Sequence, residues 1–139
     1  MLLDDIKRSY AQDLDEPIAG LCLHLVDSLA HVPPRELRRI SLAWLASIAD
    51  RKWDDDEFQA ALTALTTSRL HPLTMYFVWH DRDEDREVAF SAGDVMRAVE
   101  EMVFIHPRTG EEIPDFQREL TPVLRASDAF MQFLEGHER

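Results

Sequence analysis

The stretch "MYFVWHDRDEDREVAF", residues 75–90, decides whether the chain is purely helical or mixed. Its first six residues concentrate β-forming side chains, with Pro72 upstream and seven consecutive charged residues, 81–87, downstream. A strand that ends in a charged turn calls for a returning strand, and "VAF" at 88–90 supplies it. Pairing residues whose numbers sum to 167 sets Phe77 against Phe90, Trp79 against Val88, His80 against Glu87 and Asp81 against Arg86. Apolar pairs then share one face, and the turn shrinks to "RDED". A slip by one residue would turn every side chain to the opposite face, so this register is a sharp expectation.

Away from the hairpin, helix starts are the clearest signals. In "WDDDEF" (53–58), Asp54 is the expected N-cap with Glu57 at N3, and Trp53 and Phe58 stand where a hydrophobic staple closes the start of a helix over 55–68. "FSAGDV" (90–95) repeats the pattern: Ser91 caps, Asp94 sits at N3, Phe90 and Val95 form the staple, and a helix begins near 92. In "VPPREL", Pro34 suits a first helical turn and Glu36 complements the dipole. Leu37, Ile40, Trp44 and Ile48 then form a stripe, widened by Leu42, Leu45 and Ala49, for one helix over 34–50. Upstream, Glu16 and Pro17 open a helix to about residue 31, with Ile18, Leu21, Cys22, Leu25 and Leu29 on one face and Pro33-Pro34 ending it. In the last third, "RTGEEIP" reads as a turn and "DFQREL" as a helix stopped at Thr121-Pro122. Val123, Leu124, Ala126, Phe130, Phe133 and Leu134 then read as the face of a final helix that frays over 135–139.

The expected fold is mainly α (α+β), a single globular domain over 1–139 that is helical with one β-hairpin. Helices at 34–50 and 55–68 followed by a hairpin at 75–90 resemble a winged-helix domain in element order, over about a third of the chain. That resemblance implies a DNA-binding regulator.

Composition bounds these readings. A chain of 139 residues with 45% hydrophobic content can bury a core without disulfides or metals, and is too apolar for a disordered segment. The net charge of −12 is uneven: residues 1–80 hold 12 acids against 8 bases, and residues 81–139 hold 15 against 7. Phosphate backbones are gripped by Lys and Arg, so this balance opposes nucleic acid and favours a protein partner with a basic surface. The lone Cys22 allows no intrachain disulfide, and no basic-then-apolar leader or long uncharged apolar run is present, so a cytoplasmic protein without a membrane segment is expected. Thirteen of the fifteen bases are arginine, the usage of a GC-rich bacterial source.

Chemical motifs are mostly excluded. Asp81, Asp83 and Asp85 match the first ligands of a calcium loop, but Arg86 and Ala92 stand where glycine and glutamate are required. His24, Asp27 and His31, at spacings of three and four, share one side of a helix and are the candidate metal ligands. There is no Gly-x-Ser-x-Gly elbow and no phosphate-binding glycine loop, while Cys22 sits in an apolar stretch that disfavours the thiolate. No enzyme activity and no cofactor are expected. The leading expectation is a small acidic interaction module: an adaptor, accessory subunit or regulator, in one version an inhibitor or immunity-type protein covering a basic surface. Tyr76 and Trp79 are its candidate anchors, Asp83, Glu84 and Asp85 its steering tip, and Arg35, Arg38 and Arg39 a second candidate face. Self-association stays open. The alternatives are a small metal-dependent hydrolase using His24, Asp27 and His31, and the winged-helix regulator.

Overall fold

The computed structural model describes residues 2–106 and 108–137, and among these the chain is mixed α+β. In chain order the elements are α1 Leu2–Asp13, α2 Ile18–Ala30, a 3-10 turn Pro34–Arg38, β1 Ile40–Ser41, α3 Leu42–Ile48 and α4 Asp56–Thr67. There follow β2 Leu73–Asp81, β3 Arg86–Ser91, α5 Ala92–Glu101, α6 Phe116–Glu119, β4 Thr121–Ala126 and α7 Asp128–His137. The strands form one antiparallel sheet in the order β1-β4-β2-β3. The chain divides into two compact units: a larger one, taken from the chain up to Thr74 and from Leu124 onward, and a smaller one, Met75–Val123.

In the larger unit, α2 packs on α1 and α4. The spacing of its apolar residues explains why: Cys22, Leu25, Val26 and Leu29 fall on one stripe and are buried, as are Phe58, Ala61, Leu62 and Leu65 along α4. Each fully buried Leu or Phe contributes about 1.5–3 kcal/mol of transfer free energy. The Cys22 thiol is fully enclosed, and burial pushes its pKa up to about 12. α1, for which the sequence reading made no provision, buries Ile6 and Tyr10 one turn apart. Its Tyr10 hydroxyl donates to the Ala64 carbonyl at 3.2 Å and lies 2.9 Å from Ser68 Oγ, tying α1 to the end of α4.

Three expectations need correction. The single helix over 34–50 is two pieces: Arg39 is extended (φ −149°, ψ 114°), Ile40 and Ser41 pair as β1, and Ser41 Oγ accepts the Trp44 N–H at 3.1 Å to start α3 afresh. An internal Ser N-cap beside a β-branched residue breaks the helix, while Leu37, Ile40 and Leu45 stay buried across the break. At α4 the cap is Asp55 rather than Asp54, its Oδ2 accepting the Phe58 N–H at 2.9 Å. Trp53 is exposed, so no staple closes there, and Arg51 instead fastens the turn through Asp55 at 3.1 Å and Glu57 at 2.6 Å. The third correction falls on Val123–Ala126, which belong to strand β4, not to a helix. Pro122 removes a helical donor, and α7 starts later with Ser127 Oγ accepting the Phe130 N–H. α7 continues to His137, while Glu138 and Arg139, where fraying was expected, lie outside the described residues.

The smaller unit is built on the hairpin, which forms in the expected register: Phe77 opposite Phe90, Trp79 opposite Val88, His80 opposite Glu87 and Asp81 opposite Arg86. Ser91 ends β3 and caps α5, its Oγ accepting the Asp94 N–H at 3.1 Å. The unit's small core gathers Trp79, Ala98, Phe104, Ile113 and Phe116, with Phe104 stacked on Phe116 at 4.5 Å and edge-on to Phe90 at 4.6 Å. A single bridge between Ile105 and Glu112 closes the loop that carries these residues.

Candidate interaction surface

The hairpin tip is an internally fastened turn. Asp81, only 2% exposed, accepts the Nε2–H of His106 at 2.9 Å through Oδ2 and the Asp83 N–H at 3.1 Å through Oδ1. The His106 hydrogen bond holds the Asp81 carboxyl below the usual carboxylate range, burial opposes this, and the backbone N–H groups of Glu84 and Asp83 add to it. His106 Nδ1 accepts the N–H groups of Arg108 and Thr109 at 3.0 and 3.2 Å, which places the ring hydrogen on Nε2. Both nitrogens are thus occupied, so the pair orients the loop and leaves no nitrogen for acid–base work or a metal. Glu84 is held by Arg86 at 3.3 Å and Arg108 at 3.0 Å, and Asp85, in the left-handed region at φ 50°, lies 3.3 Å from His80. Of the steering trio, Asp83 alone has a carboxylate without an ion-pair partner among the described residues.

The aromatic candidates divide. Tyr76 is half-buried, whereas Trp79 is 9% exposed, packs edge-on against His106 and donates Nε1–H to Glu119 Oε2 at 2.9 Å. Trp79 therefore belongs to the small core. Arg35, Arg38 and Arg39 are exposed around the 3-10 turn, with Arg38 at 4.0 Å from Glu135. His24, Asp27 and His31 are not brought together: His24 Nε2 reaches the Ile48 carbonyl at 3.0 Å, His31 Nδ1 reaches the Asp27 carbonyl at 2.7 Å, and the Asp27 carboxylate pairs with Lys7 at 2.6 Å. Among the described residues no group of three such side chains is placed to hold a metal ion.

The surface that stands out was not expected. Met96, Val99, Met102, Val103 and Ile105 are all exposed along α5 and the segment after it, while Val95 and Ala98 on the same helix face the core. Exposed apolar side chains gathered on one segment mark interaction surfaces, and methionine is the most adaptable of them. Its strongest feature is the helix end. Met102 adopts φ 57° and ψ 27°, its N–H bonding the Val99 carbonyl at 3.2 Å while the Val103 N–H bonds the Ala98 carbonyl at 3.1 Å. This is a Schellman ending in which methionine occupies the position that glycine fills without strain. A signal was present in "DVMRAVEEMVFI": apolar residues at 95, 96, 98, 99 and 102–105 exceed what one buried helix face can take up.

One concavity opens on this surface and a second shares a wall with it. The first is a groove of about 350 Å³ with a mixed lining, in which Val99, Met102, Phe104 and Phe116 stand beside Glu112, Asp115, Gln117 and Arg118. The other is a cleft of about 260 Å³ beside Trp79, edged by Asp83, Glu111, Glu112 and Glu119. Glu112, Ile113 and Pro114 line both. The smaller unit carries 12 acids against 5 bases, so the apolar surface is set in a field of −7. Among the described residues Glu100, Glu101, Glu111, Glu112 and Asp115 make no ion pair, and no helix is long and apolar enough to cross a membrane. No known family model matches the chain, and neither do the curated proteins or solved structures compared with it.

Proposed function

We propose that the protein is a small acidic cytoplasmic interaction module, an adaptor, accessory subunit or inhibitor-type regulator, whose smaller unit seats a partner protein with a basic surface. Met102 carries the reading. It is an apolar side chain, 83% exposed, at a left-handed backbone position where glycine would be about 1 kcal/mol more favourable. Its conformation opposes the folded state and its exposure gains the fold nothing, which points to a use outside the fold. The unpaired carboxylates beside it give the partner its sign: a basic surface is drawn in and an acidic one repelled.

The direct test is affinity capture from the native host with three baits: the wild type, V99E/M102E, and W53S as a control at an exposed aromatic of the larger unit. A stoichiometric protein retained by the wild type and W53S, but lost by a V99E/M102E variant that keeps its unfolding midpoint, is the expected outcome. Equal retention by V99E/M102E would remove the reading.

A winged-helix DNA-binding regulator is the second reading, favoured by the chain order of α3, α4 and the β2–β3 hairpin. Against it stand Asp56 and Glu57 at the start of α4, the absence of any base within that helix, and the acidic hairpin tip. A gel shift at low salt separates the two. The hydrolase alternative needs His24, Asp27 and His31 to converge, and their hydrogen bonds point elsewhere.

A further inference from the structure

We infer that the partner enters as one segment in which a large apolar residue is followed within about four positions by arginine or lysine, the apolar side chain seated beside Met102 and the cation in the cleft beside Trp79. This rests on the smaller unit being the interaction surface, and adds the chemistry of its occupant.

The two concavities share a wall. The groove's volume, about 350 Å³, lies at the low end of binding clefts and has room for one or two side chains, with the apolar seat confined to its Val99, Met102, Phe104 and Phe116 side. Phe104, Ile113 and Phe116 give it a rigid apolar wall, and Met102 an adaptable rim. Arg118 is the one base among its lining residues, against Glu112 and Asp115. In the neighbouring cleft, Asp81 is consumed by His106 and one oxygen of Glu119 by Trp79. Asp83, Glu111 and Glu112 are left without a cation among the described residues, and Arg82 is the one arginine or lysine among the described lining residues, beside His80 and His106. Glu112, Ile113 and Pro114 form the common wall, so a side chain seated in the groove brings its near neighbours in sequence to the acidic cleft.

Charge chooses between occupants. A second copy of this chain would bring a unit of −7 against another of −7, a juxtaposition that costs affinity, whereas a basic segment gains from it. Exposed apolar surface without charge selection would accept any greasy segment. The carboxylates make the basic one the specific ligand.

The experiment is selection of a displayed library of random peptides of about 16 residues on the folded protein, with counter-selection on V99E/M102E. Enriched peptides are expected to pair Leu, Met, Phe or Trp with Arg or Lys within four positions. A synthesised winner should lose at least tenfold in affinity on E111Q/E112Q and at least tenfold from low to high salt. Winners that are apolar but neutral, and still depend on Met102, would overturn the charged cleft while leaving the interaction surface standing. No enrichment over V99E/M102E would overturn the surface itself, and with it the proposed function. A concentration-dependent dimer of the wild type, abolished in V99E/M102E, would assign the surface to a second copy instead.

Discussion

The larger and smaller units treat apolar side chains in opposite ways. Of the twelve largest fully buried side chains among the described residues, eleven belong to the larger unit and all eleven are apolar, from Ile6 and Phe58 to Leu124 and Phe130. The smaller unit contributes one, and it is the carboxylate Asp81. Exposure is reversed: among the described residues, five of the seven large hydrophobic ones left exposed, Met96, Val99, Met102, Val103 and Ile105, lie in the smaller unit. One part of the molecule spends its apolar residues on its own core. The other keeps a small core, fixes its loops by a buried polar pair, and holds apolar surface outward. Sites that bind others are expected where stability is not maximised.

The largest test of this contrast is in the larger unit. F58A removes a fully buried ring at N3 of α4, and should cost about 3–5 kcal/mol, read as a fall in the urea midpoint at unchanged m-value. A loss below about 1 kcal/mol would mean that this core is looser than its burial implies.

Next comes the polar pair of the smaller unit. The Asp81 pKa is lowered on folding, so the folded state binds fewer protons than the unfolded one around the ordinary aspartate value, near 3.9. Its contribution is present in full above that value, and is lost as pH falls through the lower folded value. D81N, which keeps the shape and discards the charge, should be less stable than the wild type at neutral pH, and the two should converge on acidification. A gap that does not narrow at low pH would show that the carboxylate's charge is not what holds the loop.

The smallest effect is on the exposed surface, where M96A should change stability by no more than about 0.5 kcal/mol, since its side chain is 63% exposed. A cost like that of F58A would place Met96 in the fold rather than in an interface.

What could be read in the sequence follows from how local each signal is. The hairpin register was legible because a period of two and a charged turn over-determine it, and the cap of α5 because Ser91 and Asp94 are three residues apart. The failures are those in which distant partners or a single residue decide. An apolar stripe over 34–50 looks continuous, yet Ser41 ends one segment and begins another. Val123–Ala126 fit a helix face by composition and a strand by pairing. His106 and Asp81 are 25 residues apart, with nothing in either neighbourhood to announce their bond. The steering tip and Trp79 were chosen for charge and size, but Glu84 and Trp79 turn out to be engaged within the unit. Met102 was the hardest to see, because methionine is not the residue that a left-handed helix end leads one to seek.

That residue gives the most direct test. In M102G the left-handed position is filled by the residue it favours and one exposed apolar side chain disappears, so thermal unfolding and partner capture can be measured on the same variant. Unfolding should shift upward, by roughly 1 kcal/mol of added stability, while retention of the partner falls. A variant that is less stable, or that holds the partner as firmly as the wild type, would show that Met102 serves the fold and not an interface.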